Sequence, residues 1–327
     1  MSTANLVPET WNLTGDDAKK TLAHIGRRRL VKDALTRLRF SDGFSHARSM
    51  AFLGILLFVE GVIAAVGISS TLGSPSTSHS IVKTLQSIVP GPAGRLLTQA
   101  ASQAHQSASS GHWIAILFGT LGALITGVTL MGQIERAMNR LYGVESDRDT
   151  AHKYARALLL TLTAGTLGAL AFGGLGLGGA IASALGNSSV RTIWSVARWP
   201  LGILLLVAAL ALILRWAPRR HQPAWSWMSF GAVVAVGLMA FVTIVLNVFF
   251  HFSSSFGTTY GPLAGIIALA FWAYFTSIAL LMGAALAAQL EAVRAGAGAP
   301  RSGQKTRGSE AQLGASDGER PSEARAS

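Results

Sequence analysis

The chain has 327 residues, of which 50% are hydrophobic and only 13% are charged, whereas a soluble domain carries roughly 25% charged residues. This composition argues against a soluble enzyme. The 27 Lys and Arg against 15 Asp and Glu give a formal charge of +12, which in so apolar a chain suits anionic lipid headgroups better than nucleic acid. The absence of cysteine excludes disulfides, thiolate metal sites and cysteine nucleophiles.

The first 48 residues contain no apolar core of a signal peptide, and we interpret them as a cytoplasmic arm. Within this arm, Val31, Ala34, Leu35 and Leu38 recur at helical spacing, and basic residues are available for the remaining faces. The pattern over 19–40 is typical of a basic amphipathic helix that lies along the inner headgroups of a membrane. A solvated cytoplasmic helix is the alternative interpretation.

Six apolar segments follow, each long enough to cross a bilayer core of about 30 Å, which needs roughly 20 helical residues. They are residues 49–72, 113–131, 157–185, 199–217, 225–250 and 263–290. Because a backbone in lipid must satisfy its own hydrogen bonds, spans of this length are expected to be helices. The sequence therefore predicts an all-α polytopic membrane bundle with six transmembrane helices between residues 49 and 290.

The distribution of basic residues predicts the orientation of this bundle. Of the 27 Lys and Arg, 23 lie in the arm, in the second and fourth connections between spans and in the C-terminal tail. The positive-inside rule then places both termini in the cytoplasm. An even number of spans agrees with this arrangement. Residues 73–112 become an outer loop with two short helices, and residues 291–327 a disordered cytoplasmic tail.

Glu60 is the one acidic residue within a predicted span, near its middle. A charged side chain at that depth costs about 2.5–3.5 kcal/mol on insertion scales, so it normally faces the bundle interior. Asn247 and Tyr274, in the last two spans, are candidate hydrogen-bond partners. Together the three residues form a candidate intramembrane polar site. Glu60 is either a proton- or cation-linked group or a protonated packing residue.

A Gly-rich segment in the third span contains the G-x-G-x-x-G dinucleotide fingerprint, but the strand and the acidic residue that this fingerprint requires are missing. We interpret Gly174 and Gly178 as a small-residue face for close helix packing. The eight histidines form no tight ligand pair, and the outer loops contain no carboxylates. We therefore predict no catalytic residue, no cofactor and no metal site.

Several short motifs follow one another in order along the predicted spans. Their central residues are Asn139, Tyr142, Gly143, Pro218, Gly231, Tyr260, Gly261, Trp272 and Gly283. The ordered set, between about residue 20 and residue 294, resembles the YihY/BrkB family of bacterial inner-membrane proteins, formerly mislabelled ribonuclease BN. The resemblance implies a multi-pass protein of the cell envelope. The chain departs from the family's pattern at Ala285, where relatives often carry an acid, so no role of that acid transfers.

Two functions agree with these features. The first is a transporter or flippase-like protein for a small solute or a lipid-derived substrate, indicated by Glu60 and by the Gly-rich third span. The second is a non-transporting envelope scaffold. A ribonuclease is disfavoured, because the sequence offers no acidic metal-binding set and no nucleophile constellation.

Overall fold

The computed structural model describes residues 3–12, 14–71, 92–94, 99, 102–103, 113–184, 188–253, 259–260, 263–297 and 299–302. Over this part of the chain the protein is helical, and the extended backbone there forms a single isolated bridge between Ala4 and Ser302 rather than a strand. The predicted all-α class is therefore confirmed for the described residues.

The named helices divide into two short ones and six long ones. In chain order they are α1 (Gly15–Ile25), α2 (Arg27–Phe40), α3 (Gly43–Thr71), α4 (Trp113–Tyr142), α5 (Thr150–Ala184), α6 (Ser188–Trp216), α7 (Trp225–Phe252) and α8 (Leu263–Arg294). The long helices have 28 to 35 residues, which at 1.5 Å per residue makes each of them longer than a bilayer core of about 30 Å.

Five of the long helices contain segments that are long and apolar enough to cross a membrane. These segments are Gly43–Ala64, Thr150–Phe172, Arg191–Trp216, Trp225–Phe252 and Leu263–Arg294. They match five of the six predicted spans, with ends that differ by several residues. The predicted span 113–131 lies within α4, which is 30 residues long but is not among these five. The sixth span stays a prediction.

The six long helices alternate in direction within one bundle. Arg156, near the start of α5, donates to the carbonyl of Trp216 at the end of α6 over 2.9 Å. Trp227, near the start of α7, donates to the carbonyl of Thr14 over 2.7 Å. The last turns of α8 pack against α1 and α2. We call this the arm end of the bundle, because residues 3–40 pack there.

The N-terminal arm forms two helices where the sequence indicated one over 19–40. The break falls at Gly26, whose φ of +78° is easily adopted only by glycine. On α2, Ala34 and Leu38 are buried as part of the core, whereas Val31 and Leu35 remain 43% and 47% exposed. Only part of the predicted apolar face is therefore buried, because only the side with Ala34 and Leu38 packs against the bundle.

The helices α7 and α8 cross closely at two glycines. A Cβ on Gly231 would lie 2.9 Å from the carbonyl oxygen of Gly283, and a Cβ on Gly283 would overlap the Gly231 carbonyl. By contrast, Gly174 lines a small cavity of about 30 Å³ between α5 and α6, and a Cβ there would meet nothing within 4 Å. Gly174 is thus not at a close crossing, and Gly178 has no described side-chain environment.

Both ends of the described chain meet at the arm end. The amide of Asn5 donates to the carbonyl of Arg301 over 2.9 Å, and α8 continues to Arg294, past the predicted boundary of the tail at 291. The rest of the predicted tail, 303–327, lies outside the described residues, as does most of the predicted outer loop 73–112.

Candidate functional site at the arm end

Asp147 organises the connection between α4 and α5. Its carboxylate accepts from the Asn139 amide over 3.2 Å and from Lys153 over 3.3 Å, and Arg136 lies 3.4 Å away. Partial burial raises the pKa of Asp147, but the Asn139 hydrogen bond and the charges of Lys153 and Arg136 outweigh it and hold the pKa below its usual value. Asp147 is therefore ionised at neutral pH.

Arg148 joins this connection to the one between α6 and α7. Its guanidinium pairs with Glu135 of α4 at 2.9 Å and donates to the carbonyls of Ala217 and Pro218 over 2.8 and 2.7 Å. Such a fork of donors suits a planar guanidinium and fixes the geometry of both connections. Two segments about 70 residues apart in sequence are held together in this way.

A second group of polar residues lies deeper, among the ends of α4 and α8 and the connection before α7. We call it the buried polar cluster. Five members, Arg37, Tyr142, Gln222, Gln289 and Glu291, are at most 8% exposed as whole residues. The sixth is Arg220, whose side chain is 2% exposed. Burial at this level requires that each charge be paired or hydrogen-bonded, because an isolated buried charge is very costly.

The Arg220–Glu291 ion pair is the centre of the buried polar cluster. The two groups are 2.7 Å apart, and their side chains are only 2% and 0% exposed. The same Glu291 oxygen accepts from the hydroxyl of Thr10 over 2.8 Å, and the guanidinium of Arg220 lies 4.6 Å from the ring centre of Tyr142. This pair therefore joins three distant parts of the chain beneath the N-terminal segment.

Arg37 supplies a second cation to the cluster. It donates to the side-chain oxygen of Gln289 over 3.0 Å and to the carbonyls of Leu141 and Asn5 over 3.0 and 3.1 Å. Burial lowers the pKa of Arg37 to about 10, so the group stays charged at neutral pH, and burial also raises the pKa of Tyr142 above its usual value. The cluster holds two cations against one carboxylate.

Several polar atoms of the cluster make no hydrogen bond within the described part of the protein. They are Nε and Nη1 of Arg220, the hydroxyl oxygen of Tyr142, both side-chain amide atoms of Gln222, Nε2 of Gln289 and Oε2 of Glu291. Buried polar atoms are normally satisfied, and exceptions are concentrated where water or a ligand enters. The cluster offers donors and acceptors for small polar molecules, but no nucleophile beside a base.

The motif residues that resemble the family form two groups in the structure. Asn139, Tyr142, Gly143 and Pro218 lie together at the arm end, where the Asn139 side chain also accepts from the amide of Arg219 over 2.8 Å. Gly143 has φ +80°, and a Cβ on it would lie 2.5 Å from the Cα of Leu6. Gly231 and Gly283 form the α7–α8 crossing.

The remaining motif residues lie far from the arm end. Trp272 donates from its indole nitrogen to the Thr243 hydroxyl over 3.0 Å and packs against Phe58. Tyr260 is 47% exposed, and Gly261 lies outside the described residues. Trp272 therefore supports a contact between helices rather than the buried polar cluster.

The predicted intramembrane site is only partly assembled. Glu60 faces Gly122 of α4, where a Cβ would lie 3.0 Å from the Glu60 carboxylate, and one Glu60 oxygen is buried with no hydrogen-bond partner among the described residues. Asn247 donates instead to the Thr243 carbonyl of its own helix over 2.9 Å, and Tyr274 packs against Phe275. Glycine at 122 therefore provides the space for the carboxylate.

Sequence reasoning missed the buried polar cluster. Arg37 and Arg220 were counted only as cytoplasmic charges, and Glu291 as the first residue of the tail. One signal was available for Glu291, since an acid directly after an uninterrupted apolar helix needs a partner.

Within the described residues no three His, Asp or Glu lie close enough to hold a metal ion. For the whole chain, the absence of a metal site stays a prediction.

Comparison with known proteins adds a family and several relatives. The profile of the family described as Virulence factor BrkB matches residues 34–308. The ribonuclease-like protein YfkH of Bacillus subtilis (strain 168) is 24% identical over 270 residues, which cover 80% of this chain and 94% of that protein. No solved structure shows a significant match.

Two further relatives are named UPF0761 membrane proteins. One, from Azoarcus sp. (strain BH72), is 28% identical over 255 residues, and the other, from Aromatoleum aromaticum, is 24% identical over 248 residues. Each alignment covers 75% of this chain and 59% of the relative.

Proposed function

The chain belongs to the virulence factor BrkB family of membrane proteins, and from this we propose that it is a six-span protein of the bacterial inner membrane with both termini in the cytoplasm. In that membrane it acts as a transporter or flippase-like protein for a small solute or a lipid-derived substrate. The observation that carries the transport proposal is the Glu60 carboxylate, which occupies space left by a glycine in the apolar part of the bundle.

The proposed topology rests on exposure and charge. Large apolar side chains are exposed along the long helices, which agrees with hydrocarbon as their solvent. On α4 these include Leu117, Leu121 and Ile125, which are spaced by one helical turn and 44–67% exposed, so α4 is our sixth span. Most Lys and Arg belong to segments at the arm end, and the positive-inside rule assigns that end to the cytoplasm.

The transport proposal rests on the cost of placing Glu60 among apolar helices. An unpaired carboxylate at such a depth costs several kcal/mol and is normally retained for a proton or ion pathway. Gly122 gives the carboxylate room beside α4 instead of forcing it toward lipid. A group of this kind can take up and release a proton as the helices around it move, which would link proton movement to transport.

A scaffold is the second candidate, and one observation favours it. Asn247 and Tyr274 bond or pack elsewhere and do not converge on Glu60. In contrast, the ion pairs at the arm end link the connections between helices to α4 and α8. If Glu60 is only a protonated packing residue, the bundle serves to present the arm and the outer segment.

The test uses the purified full chain in liposomes. A pH-sensitive dye inside the vesicles reports proton entry under a potassium diffusion potential, and a fluorescent phosphatidylglycerol reports lipid exchange between leaflets. We expect the wild type to raise one of these rates above that of empty liposomes. Glu60→Gln, which keeps the shape but removes the titratable proton, lowers that rate at least tenfold.

A matched control separates this effect from a general loss of negative charge. Asp149→Asn removes one acid from an exposed position at the arm end, where the side chain is 77% exposed, and leaves the rate unchanged. Equal rates for wild type and Glu60→Gln, both above empty liposomes, remove Glu60 from the mechanism. A wild type that raises neither rate overturns transport in favour of the scaffold.

A further inference from the structure

The outward face of α2 carries a shallow groove of about 600 Å³ that is largely open to its surroundings. It is lined by Arg27, Arg28, Val31, Lys32, Leu35, Thr36 and Arg39. We propose that this groove is a discrete binding site for one anionic phospholipid of the cytoplasmic leaflet. The proposal does not depend on transport through Glu60.

The composition of the groove matches the two parts of such a lipid. Four of its seven residues are basic and none is acidic, so it attracts a phosphate and repels cations. Between the basic residues, Val31 and Leu35 lie one turn apart and expose 43% and 47% of their surface. An apolar strip flanked by cations fits the start of an acyl chain beside its charged headgroup.

The position of α2 sets the groove at the depth of the headgroups. Only Ser41 and Asp42 separate α2 from α3, whose membrane-capable segment begins at Gly43. The opposite face of α2 is fixed to the bundle, because Leu30, Ala34 and Leu38 belong to the core. The helix is therefore held against the bundle, and the groove faces away from the protein at the boundary of the membrane.

Arg37 explains why this helix can hold a fixed orientation. Its guanidinium points to the other side of α2 and donates to Gln289 of α8 and to the Leu141 carbonyl of α4. Rotation of α2 would break these buried hydrogen bonds, which are stronger than neutral ones because the donor is charged. The backbone positions of the basic residues are thus fixed relative to the bundle, which distinguishes a site from a mobile charged segment.

The chain provides a closely matched control at Arg29. This residue is adjacent in sequence to Arg28 and 75% exposed in side chain, yet it does not line the groove and lies 3.9 Å from Asp33. Arg28→Gln and Arg29→Gln remove the same charge one residue apart. Diffuse attraction to an anionic surface predicts equal effects of the two substitutions, whereas a discrete site predicts an effect of the first alone.

The experiment measures phosphatidylglycerol binding to the full chain in neutral detergent by native mass spectrometry, with phosphatidylcholine as the uncharged comparison. We expect Arg28→Gln and Lys32→Gln each to weaken phosphatidylglycerol binding about fivefold, the equivalent of about 1 kcal/mol per basic residue. Arg29→Gln binds as the wild type does. All three positions are exposed, so the variants keep the melting temperature of the wild type.

A second arm distinguishes a lipid from a free anion. Leu35→Ser weakens phosphatidylglycerol binding but leaves competition by glycerol phosphate unchanged, because only the lipid contacts the apolar strip. Equal losses for Arg28→Gln and Arg29→Gln, or equal binding of phosphatidylcholine, overturn the site. Glycerol phosphate that binds as tightly as the whole lipid overturns the assignment to a phospholipid.

Discussion

Glu291→Ala tests whether the buried polar cluster holds the arm end together. The substitution leaves Arg220, whose side chain is 2% exposed, as an unpaired cation 4.6 Å from the Tyr142 ring. It also removes the acceptor of the Thr10 hydroxyl. Breaking a buried pair in this way costs about 3–5 kcal/mol, because the remaining charge stays out of water without compensation.

The expected loss in free energy of unfolding distinguishes this buried ion pair from an ion pair at the surface. The Arg220 and Glu291 groups are 2.7 Å apart and nearly inaccessible, whereas Arg29 and Asp33 are 3.9 Å apart with the arginine side chain 75% exposed. Solvent-exposed pairs of the second kind contribute little. Glu291→Ala is therefore expected to lower the free energy of unfolding by about 3–5 kcal/mol, and Asp33→Ala to leave it unchanged.

Reversible unfolding by SDS titration in mixed micelles measures both variants, with helical circular dichroism as the signal. The double variant Arg220→Met with Glu291→Leu removes both charges and is expected to recover most of the lost stability. A Glu291→Ala variant as stable as the wild type would show that Arg220 reaches water or another partner. The inference that the substitution leaves the Arg220 charge uncompensated would then be incorrect.

Three further predictions concern packing and pH. Gly283→Ala brings a Cβ against a carbonyl of α7 and lowers the melting temperature, whereas Gly237→Ala, where a Cβ meets nothing within 4 Å, keeps or raises it. Gly122→Ala crowds the carboxylate of Glu60 at 3.0 Å and lowers the liposome rates as Glu60→Gln does; unchanged rates would contradict the role of that space. Because folding lowers the pKa of Asp147, its contribution to stability is present above its ordinary pKa of 3.8. This contribution is lost as the pH falls through the pKa of the folded state. Asp147→Asn is therefore expected to flatten the acid side of a plot of melting temperature against pH.

The long helices could be predicted because the bilayer imposes their length and composition. A run of apolar residues such as 225–250 has few alternatives to a helix, and α7 extends from Trp225 to Phe252. Helix ends at the arm end also follow local chemistry. Gly143, at φ +80°, ends α4, and α6 ends two residues before Pro218.

The orientation of α2 could not be predicted from periodicity alone. Leu30, Val31, Ala34, Leu35 and Leu38 permit two overlapping apolar faces, and contacts with the bundle, mostly with α8, decide which one is buried. The helix places Leu30, Ala34 and Leu38 inside and leaves the other two outside. A single helix carries no information about its neighbours, so this choice belongs to tertiary structure.

The buried polar cluster was hidden for a related reason. Arg37, Arg220 and Glu291 are more than 70 residues apart from one another in the sequence. Each one alone resembles a solvated cytoplasmic charge. Their burial depends on the N-terminal segment, where Thr10 and Asn5 supply partners. Counting charges correctly assigns such residues to one end of the bundle but cannot tell a buried pair from an exposed one.

The orientation of the bundle is the central claim, and labelling of single cysteines tests it most directly, since the natural chain has none. Trp11, 72% exposed at the arm end, and Ser102, exposed beyond α3, are each replaced by cysteine. We expect a membrane-impermeant maleimide to label Ser102→Cys in spheroplasts and Trp11→Cys only in inverted vesicles. Labelling of Trp11→Cys in intact spheroplasts, or of both positions from one side, would contradict the proposed topology.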